Sequence, residues 1–319
     1  MPKKTISRSK KQISRPKRSS PKPAKTIGIL HSGTKGKHNK VIAAFKKYLK
    51  QAGYSEPRNL TIAPNGIPLW SEDDPQKLQD NANTLADIQG IDLIIAAGGS
   101  ASVYAAQRAT TVSGIKVVFT TFSKRDSPAP NMTGVCARTS ELDKDRLTNL
   151  YNLLQPPPQT TFGVLENPKR FDYDAAPLKD EADRLHLKLD RMPVYRLAGE
   201  TDQDVIKRIK DAFAKWKRLG LKAAVVAADP IFNDHRKEVI SAAKSNGIST
   251  MHQWREFKDE GAYASYGTII KEAYQISGTI AGRVLDGDTP SDIPVYVLGT
   301  IGLSVKRAAA RRLRLTPKA

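Results

Sequence analysis

The chain is 319 residues long, above the usual size of one domain, so two lobes are the expectation. Hydrophobic residues make up 39% of it, enough for packed cores, yet no apolar run approaches the ~20 residues of a membrane span. One cysteine, Cys136, excludes an internal disulfide, and its apolar setting reads as that of a small buried core residue.

The net charge of +20 is unevenly placed. Residues 1–25 hold ten Lys or Arg and no acid, and residues 306–319 hold six more, again without acids. Without these sixteen cations the body carries only about +4. The first 25 residues are rich in Ser, Pro, Lys and Arg, and Ile6 and Ile13 are isolated. Such a segment cannot bury enough surface to offset its chain entropy, so disorder is expected. It lacks the apolar stretch of about 7–15 residues and the small-residue cleavage site of a secretory signal. A cytoplasmic location follows as the expectation, or a periplasmic one if the true start lies elsewhere. Clustered cations attract nucleic acid or an anionic surface without sequence preference. A partner-docking tail and plain solvated filler are the competing readings. No helix-turn-helix pattern precedes the body, which argues against a sequence-specific DNA reader.

The folded chain starts at Thr26. Residues 27–30 read as a buried strand ending in His31-Ser32-Gly33, and Val41, Ile42, Phe45 and Leu49 recur at helical spacing over 37–52. A strand over 60–63 precedes Asp74-Pro75, which opens a helix to about residue 88. Residues 91–97 are the clearest strand, and Gly98-Gly99-Ser100 turns it into a helix over 101–109. A strand over 116–120 ends in Thr120-Thr121-Phe122.

From Thr161 the pattern restarts. A strand over 162–165 ends at Glu166-Asn167-Pro168, followed by a helix to about residue 185, a strand near 193–195 and a helix over 202–219. The apolar run 223–228 reaches Asp229-Pro230, where the aspartate can cap a helix over 231–245 and the proline suits its first turn. Asn246-Gly247 stops that helix before a strand over 248–251, and a last helix is expected over 304–313. Strands alternating with helices give α/β architecture: two doubly wound parallel-sheet lobes with a hinge and an interlobe cleft.

Ligands in such sheets bind beyond the carboxyl ends of the strands. Gly98, Gly99 and Ser100 present backbone amides at a helix N-terminus, suited to a carboxylate, with Thr120 and Thr121 hydroxyls beside them. Phe122 offers an apolar wall, while His31 and Ser32 end the first strand. From the other half, Asn167 and Asp229 face the cleft, and Asp229 suits an ammonium. Tyr266-Gly267 lies on a crossover segment where the ring can stack on a ligand. The Gly98 turn lacks the Gly-Lys-Ser/Thr ending of a P-loop, and the first loop is not G-x-G-x-x-G. The five histidines show no zinc spacing and no G-x-S-x-G elbow is present, so neither catalysis, metal nor cofactor is expected.

Three words, ADPIF, HQWREF and YASYG, occur in this order over residues 228–267. They resemble the solute-binding proteins of ABC-type importers, in the branch described as binding tryptophan, tyrosine or related molecules, and the likeness extends over residues 26–303. It implies a type I periplasmic-binding-protein-like fold crossing between lobes three times. The crossings are expected within 120–136, 255–266 and 288–295, giving one lobe of 26–136 plus 257–290 and another of 137–256 plus 291–319. The resemblance also implies a small-molecule ligand, an amino acid or similar carboxylate, and an ABC permease as partner. A cytosolic ligand sensor contacting a partner or nucleic acid through its basic tail is the alternative. Two departures lie at the expected cleft. Residues 123–131 are shorter than the family's usual stretch before Asn131-Met132-Thr133-Gly134, and Ala262, Tyr263 and Ala264 narrow the segment before Tyr266.

Overall fold

The structure, a computed structural model, describes residues 21–306 except 140, 171, 172 and 198. Strand β1 (Lys25–His31) is buried over its last five residues, as an apolar run in a sheet covered on both faces should be. Helix α1 (Asn39–Gln51) turns Val41, Ile42, Phe45 and Leu49 inward. After β2 (Leu60–Ala63) and β3 (Leu69–Trp70), Asp74 caps α2 (Pro75–Ala86), accepting from the amides of Gln76 at 2.8 Å and Lys77 at 3.0 Å. Strand β4 (Leu93–Ala97), α3 (Ser100–Thr110), β5 (Val117–Phe122) and β6 (Met132–Cys136) complete the first pass through this lobe.

The second lobe runs from α4 (Asp143–Leu154) through β7 (Thr161–Glu166), α5 (Ala176–Arg184), β8 (Lys188–Pro193), α6 (Asp202–Arg218) and β9 (Ala223–Val226). It continues with α7 (Pro230–Asp234), α8 (Arg236–Ser245), β10 (Ser249–His252), α9 (Arg255–Asp259) and β11 (Ala264–Gly267). The chain then returns to the first lobe as α10 (Ile270–Leu285), a 3-10 turn at Pro290–Asp292 and β12 (Tyr296–Val297), and crosses back as β13 (Gly302–Val305).

Among the described residues these strands form two sheets. One has the order β12-β6-β5-β4-β1-β2, with β3 added on β1; the other has the order β13-β11-β10-β9-β7-β8. Pairing is parallel except where β13 lies antiparallel to β11. Two doubly wound lobes therefore stand as the sequence implies, each with its own apolar core. In the second, Phe213 and Trp216 of α6 are fully buried, each removing enough surface to contribute about 1.5–3 kcal/mol. Gly163 lies directly beneath the indole, where a Cβ would sit 2.6 Å from a Trp216 ring carbon.

The boundaries differ from the sequence reading. Strand β6 pairs with β5, so the first crossing follows residue 136 rather than lying within 120–136. Residues 257–290 are not one piece of the first lobe, because β11 pairs with β10 in the second sheet. Nor do residues 291–319 begin in the second lobe, because β12 pairs with β6. The crossings follow β6, β11 and β12, which end at Cys136, Gly267 and Val297. Each strand finishes its ladder before the chain leaves the sheet, since buried amides and carbonyls left unpaired are costly.

The strand expected near 193–195 occupies Lys188–Pro193. Its charges are held by partners: Arg191 grips Glu166 at 2.9 and 2.7 Å, and Asp190 accepts from Lys215 and Trp216 at 2.9 and 3.0 Å. The helix expected over 231–245 is broken at His235 into α7 and α8. Of the helix expected over 304–313, Ser304 and Val305 belong to β13 and the rest, from residue 307, lies outside the described residues. The basic segments also lie largely outside them, over 1–20 and 307–319. Among the described residues no helix is long and apolar enough to cross a membrane.

Candidate functional site

A cavity of about 240 Å³ lies between the lobes, beyond the carboxyl ends of both sheets. The lobes touch beside it. Asp234 of α7 accepts from the Thr34 amide at 2.6 Å and pairs with His38, while Lys37 reaches Asp202 at 3.2 Å. Burial pushes the Asp234 carboxyl up, but its bonds to His38 and Thr34 outweigh this and hold it below the usual carboxylate range.

On the first lobe the wall is built around the turn from β4 into α3. Gly98 and Gly99 have φ of +92° and +117°, conformations that residues with a Cβ rarely adopt. A Cβ at Gly98 would meet Ser32 Oγ at 2.4 Å. This turn puts the first amides of α3 at the cavity edge, and Gly98, Gly99, Ser100 and Ala101 all line it. Ser32 lines it too, donating to the Gly98 carbonyl at 2.8 Å, and Ser100 Oγ is 2.8 Å from Ser123 Oγ. The helix end is a concentration of partial positive charge.

The opposing wall comes from the ends of β7, β9 and β10. Asp229 caps α7, its Oδ1 accepting from the Ile231 amide at 2.9 Å and its Oδ2 from Asn167 Nδ2 at 3.1 Å. Gln253 Nε2 donates to the Asp229 carbonyl at 3.2 Å. Trp254 of this lobe, with Ile270 and Tyr274 on α10 of the first, supplies apolar and aromatic surface, while Lys169 and Arg170 add cations. Arg170 holds the carbonyl of Ala228. The site thus pairs an electropositive helix end on one lobe with an acid on the other, beside an aromatic wall.

Of the residues singled out in the sequence, Ser32, Gly98, Gly99, Ser100, Thr121, Asn167 and Asp229 come together here. His31, Thr120, Phe122, Tyr266 and Gly267 lie outside the lining. His31 is fully buried; its Nδ1 accepts from the Gly33 amide at 2.9 Å and its Nε2 meets the Tyr274 hydroxyl at 3.1 Å. Burial, helped by His38, lowers its pKa well below the usual value, so the ring is a neutral brace. Thr120 and Thr121 sit at the register shift between Phe119 and Phe122, their hydroxyl oxygens 3.5 Å apart, and of the two Thr121 lines the cavity. Phe122 packs in the core with its ring centroid 5.2 Å from that of Phe119. Tyr266 packs against the core of its own lobe, and its carbonyl accepts from Arg146 at 2.9 Å. Gly267 allows close approach, since a Cβ there would be 1.9 Å from the Gln253 carbonyl oxygen.

Sequence reasoning did not select His38, Asp73, Arg170, Gln253, Trp254 or Tyr274, all of which line the cavity. For Gln253 and Trp254 the signal was present, because they stand inside the HQWREF word. Tyr274 sits on α10, a helix left unread, and Asp73 on a loop that local pattern does not aim.

The model of the ABC transporter substrate binding protein family matches residues 27–318. No curated protein matches the sequence. Among solved structures, an ABC domain in complex with L-Trp from Streptococcus pneumonia superposes with a TM-score of 0.72 at 18% identity, over 92% of this chain and 96% of that one. A conserved domain protein from Vibrio cholerae gives a TM-score of 0.76 at 17% identity, over 92% and 96%. An ABC transporter solute binding protein from Agrobacterium vitis with bound allitol gives 0.61 at 18% identity, over 92% and 99%. At these identities the structures speak to the fold, and the family match covers nearly the whole chain: the protein belongs to the ABC transporter substrate binding protein family.

Proposed function

We propose that this chain is the solute-binding component of an ABC importer and closes, without catalysis, on a small carboxylate-bearing molecule, an amino acid or a close analogue. One observation carries the reading. The amide-rich start of α3 and the Asp229 carboxylate face the same cavity from opposite lobes. A zwitterion satisfies both poles and so favours closure, whereas a polyol such as the allitol of one structural relative needs neither. The L-Trp complex of another relative agrees with this chemistry, and Trp254 and Tyr274 provide surface for an apolar or aromatic side group. A closed, loaded form would then be what a membrane permease receives.

The test is a thermal-shift screen of the full chain against amino acids, their decarboxylated amines, sugars and polyols, followed by calorimetry. A ligand at a hundred times its Kd adds about 2.7 kcal/mol, a readily visible shift. Amino acids should stabilise the protein, and their decarboxylated amines should bind more weakly. Stabilisation by sugars or polyols alone contradicts the reading.

A further inference from the structure

Asp73 stands on the first-lobe wall of the cavity, in the loop before α2. Its Oδ2 is shielded from solvent and has no hydrogen-bond partner among the described residues. A carboxylate oxygen so placed normally has donors around it. The backbone that carries it is held in place. Glu72 and Asp73 have φ of +56° and +61°, a left-handed conformation unusual outside glycine. They are pinned there by bonds from the Glu72 amide to the Gly33 carbonyl at 3.2 Å and from the Asp73 amide to the Ser32 carbonyl at 2.7 Å. Two strained residues thus hold one carboxylate at the cavity wall.

The cations near it are engaged elsewhere. Lys37 lies 3.2 Å from Asp202, and Arg196 also pairs with Asp202. His38 pairs with Asp234. Burial, reinforced by the nearby charges of Asp234 and Asp229, drives the Asp73 carboxyl well above its ordinary pKa, and Arg196 and Lys37 oppose this incompletely. An acid that is strained, without a donor on one oxygen and repelled by two neighbours is costly to the ligand-free protein. A cation bound between the lobes relieves the last two of these costs together.

We propose that Asp73 is a specificity-determining residue that, opposite Asp229, holds a cationic nitrogen of the ligand, so that the solute carries an ammonium or guanidinium group gripped from both lobes. This rests on the solute-binding reading above and narrows it to amine-bearing solutes. Asp229 alone would accept an amine from one side; the pair makes the amine a bridge across the cleft, so its contribution is made in the closed state. Solutes without a cationic nitrogen leave Asp73 without a partner and are selected against.

The test uses the full chain and its Asp73→Asn variant, with L-arginine, L-lysine, putrescine, L-tryptophan, L-glutamate and ribose as probes in thermal-shift and calorimetric titrations. One or more amine-bearing probes should bind the parent chain, with affinity at least about ten-fold weaker in Asp73→Asn, in line with loss of a charge-assisted contact. The ligand-free variant should melt at the same temperature or higher, because a repelled carboxylate has been removed. A lower ligand-free melting temperature marks a structural carboxylate and overturns the proposal whatever the probes do. Binding of an amino acid with equal affinity to both proteins also overturns it, while leaving the solute-binding reading standing, whereas binding of ribose alone contradicts both. Absence of binding by every probe removes both.

Discussion

The Arg146 guanidinium donates to the Tyr266 carbonyl at 2.9 Å and to the Thr139 carbonyl at 2.8 Å, so one fully buried side chain ties the first segment that crosses between the lobes to the end of β11, from which the second departs. The same guanidinium lies 2.5 Å from Asp143 Oδ1, which also accepts from the Ala228 amide at 3.2 Å, next to Asp229. The hinge and the acid wall of the cavity therefore share one polar network.

Arg146→Met should destabilise the protein by roughly 3–5 kcal/mol, because Asp143 and two carbonyls lose a buried partner. Arg146→Lys should recover little, since an ammonium cannot reproduce the planar fork. Urea unfolding of both variants checks this, and a loss under about 1 kcal/mol for the methionine variant contradicts it.

Asp229→Asn should weaken binding of an amino-acid ligand by about 1.5–3 kcal/mol, the range of a charge-assisted hydrogen bond. Stability should change less, because an asparagine oxygen still caps the Ile231 amide that Asp229 now serves. Calorimetry paired with melting curves separates the two effects. Unchanged affinity removes Asp229 from the binding role.

Gly98→Ala forces a side chain into φ of +92° and places its Cβ 2.4 Å from Ser32 Oγ. A loss of roughly 1–2 kcal/mol follows from the backbone conformation alone. Displacing the turn also moves the α3 amides, so ligand affinity should fall with stability. A variant of normal stability and normal affinity contradicts the role given to this turn.

The buried histidines give the protein an acid-side weakness. His252 is fully buried against Phe257, and burial, with the charges of Arg146 and Arg236, lowers its pKa to about 3. In the unfolded chain the same ring titrates near ~6.5. Between these values the unfolded state binds the proton and the folded state does not. Its contribution is therefore complete above pH ~6.5 and is lost as pH falls towards 3, with a slope approaching ~1.4 kcal/mol per pH unit. His31, lowered by burial and by His38, acts in the same direction. His252→Gln should flatten the fall of unfolding free energy between about pH 6.5 and 4.5, read by urea titrations across that window. An identical slope in the variant contradicts this account.

The α/β alternation was legible because β1, β4 and β9 are apolar runs buried on both faces, closed by glycine, proline or an aspartate cap. Helix α10 was not. Its sequence carries Gly278 and Gly282, which lower helix propensity locally, yet these allow α1 to pack closely against it. A Cβ at Gly278 would be 2.6 Å from the Phe45 carbonyl oxygen, and one at Gly282 would be 2.3 Å from Ala52 Cβ. A contact between segments more than 200 residues apart leaves no local signature. The candidate site divides in the same way. Gly98, Gly99 and Asp229 follow directly from strand-end logic, whereas Asp73 and Tyr274 enter the cavity through a strained loop and an unread helix. Tyr266 looked like a ligand platform from its word, but it packs against the core of its own lobe and does not line the cavity.

A crystal structure of the full chain with the amino acid giving the largest thermal shift tests the central claim most directly. The account predicts the ligand inside the interlobe cavity, its carboxylate within about 2.7–3.2 Å of amides at the start of α3 and its ammonium against Asp229. A ligand outside the cleft, or one inside it that touches neither α3 nor Asp229, contradicts it.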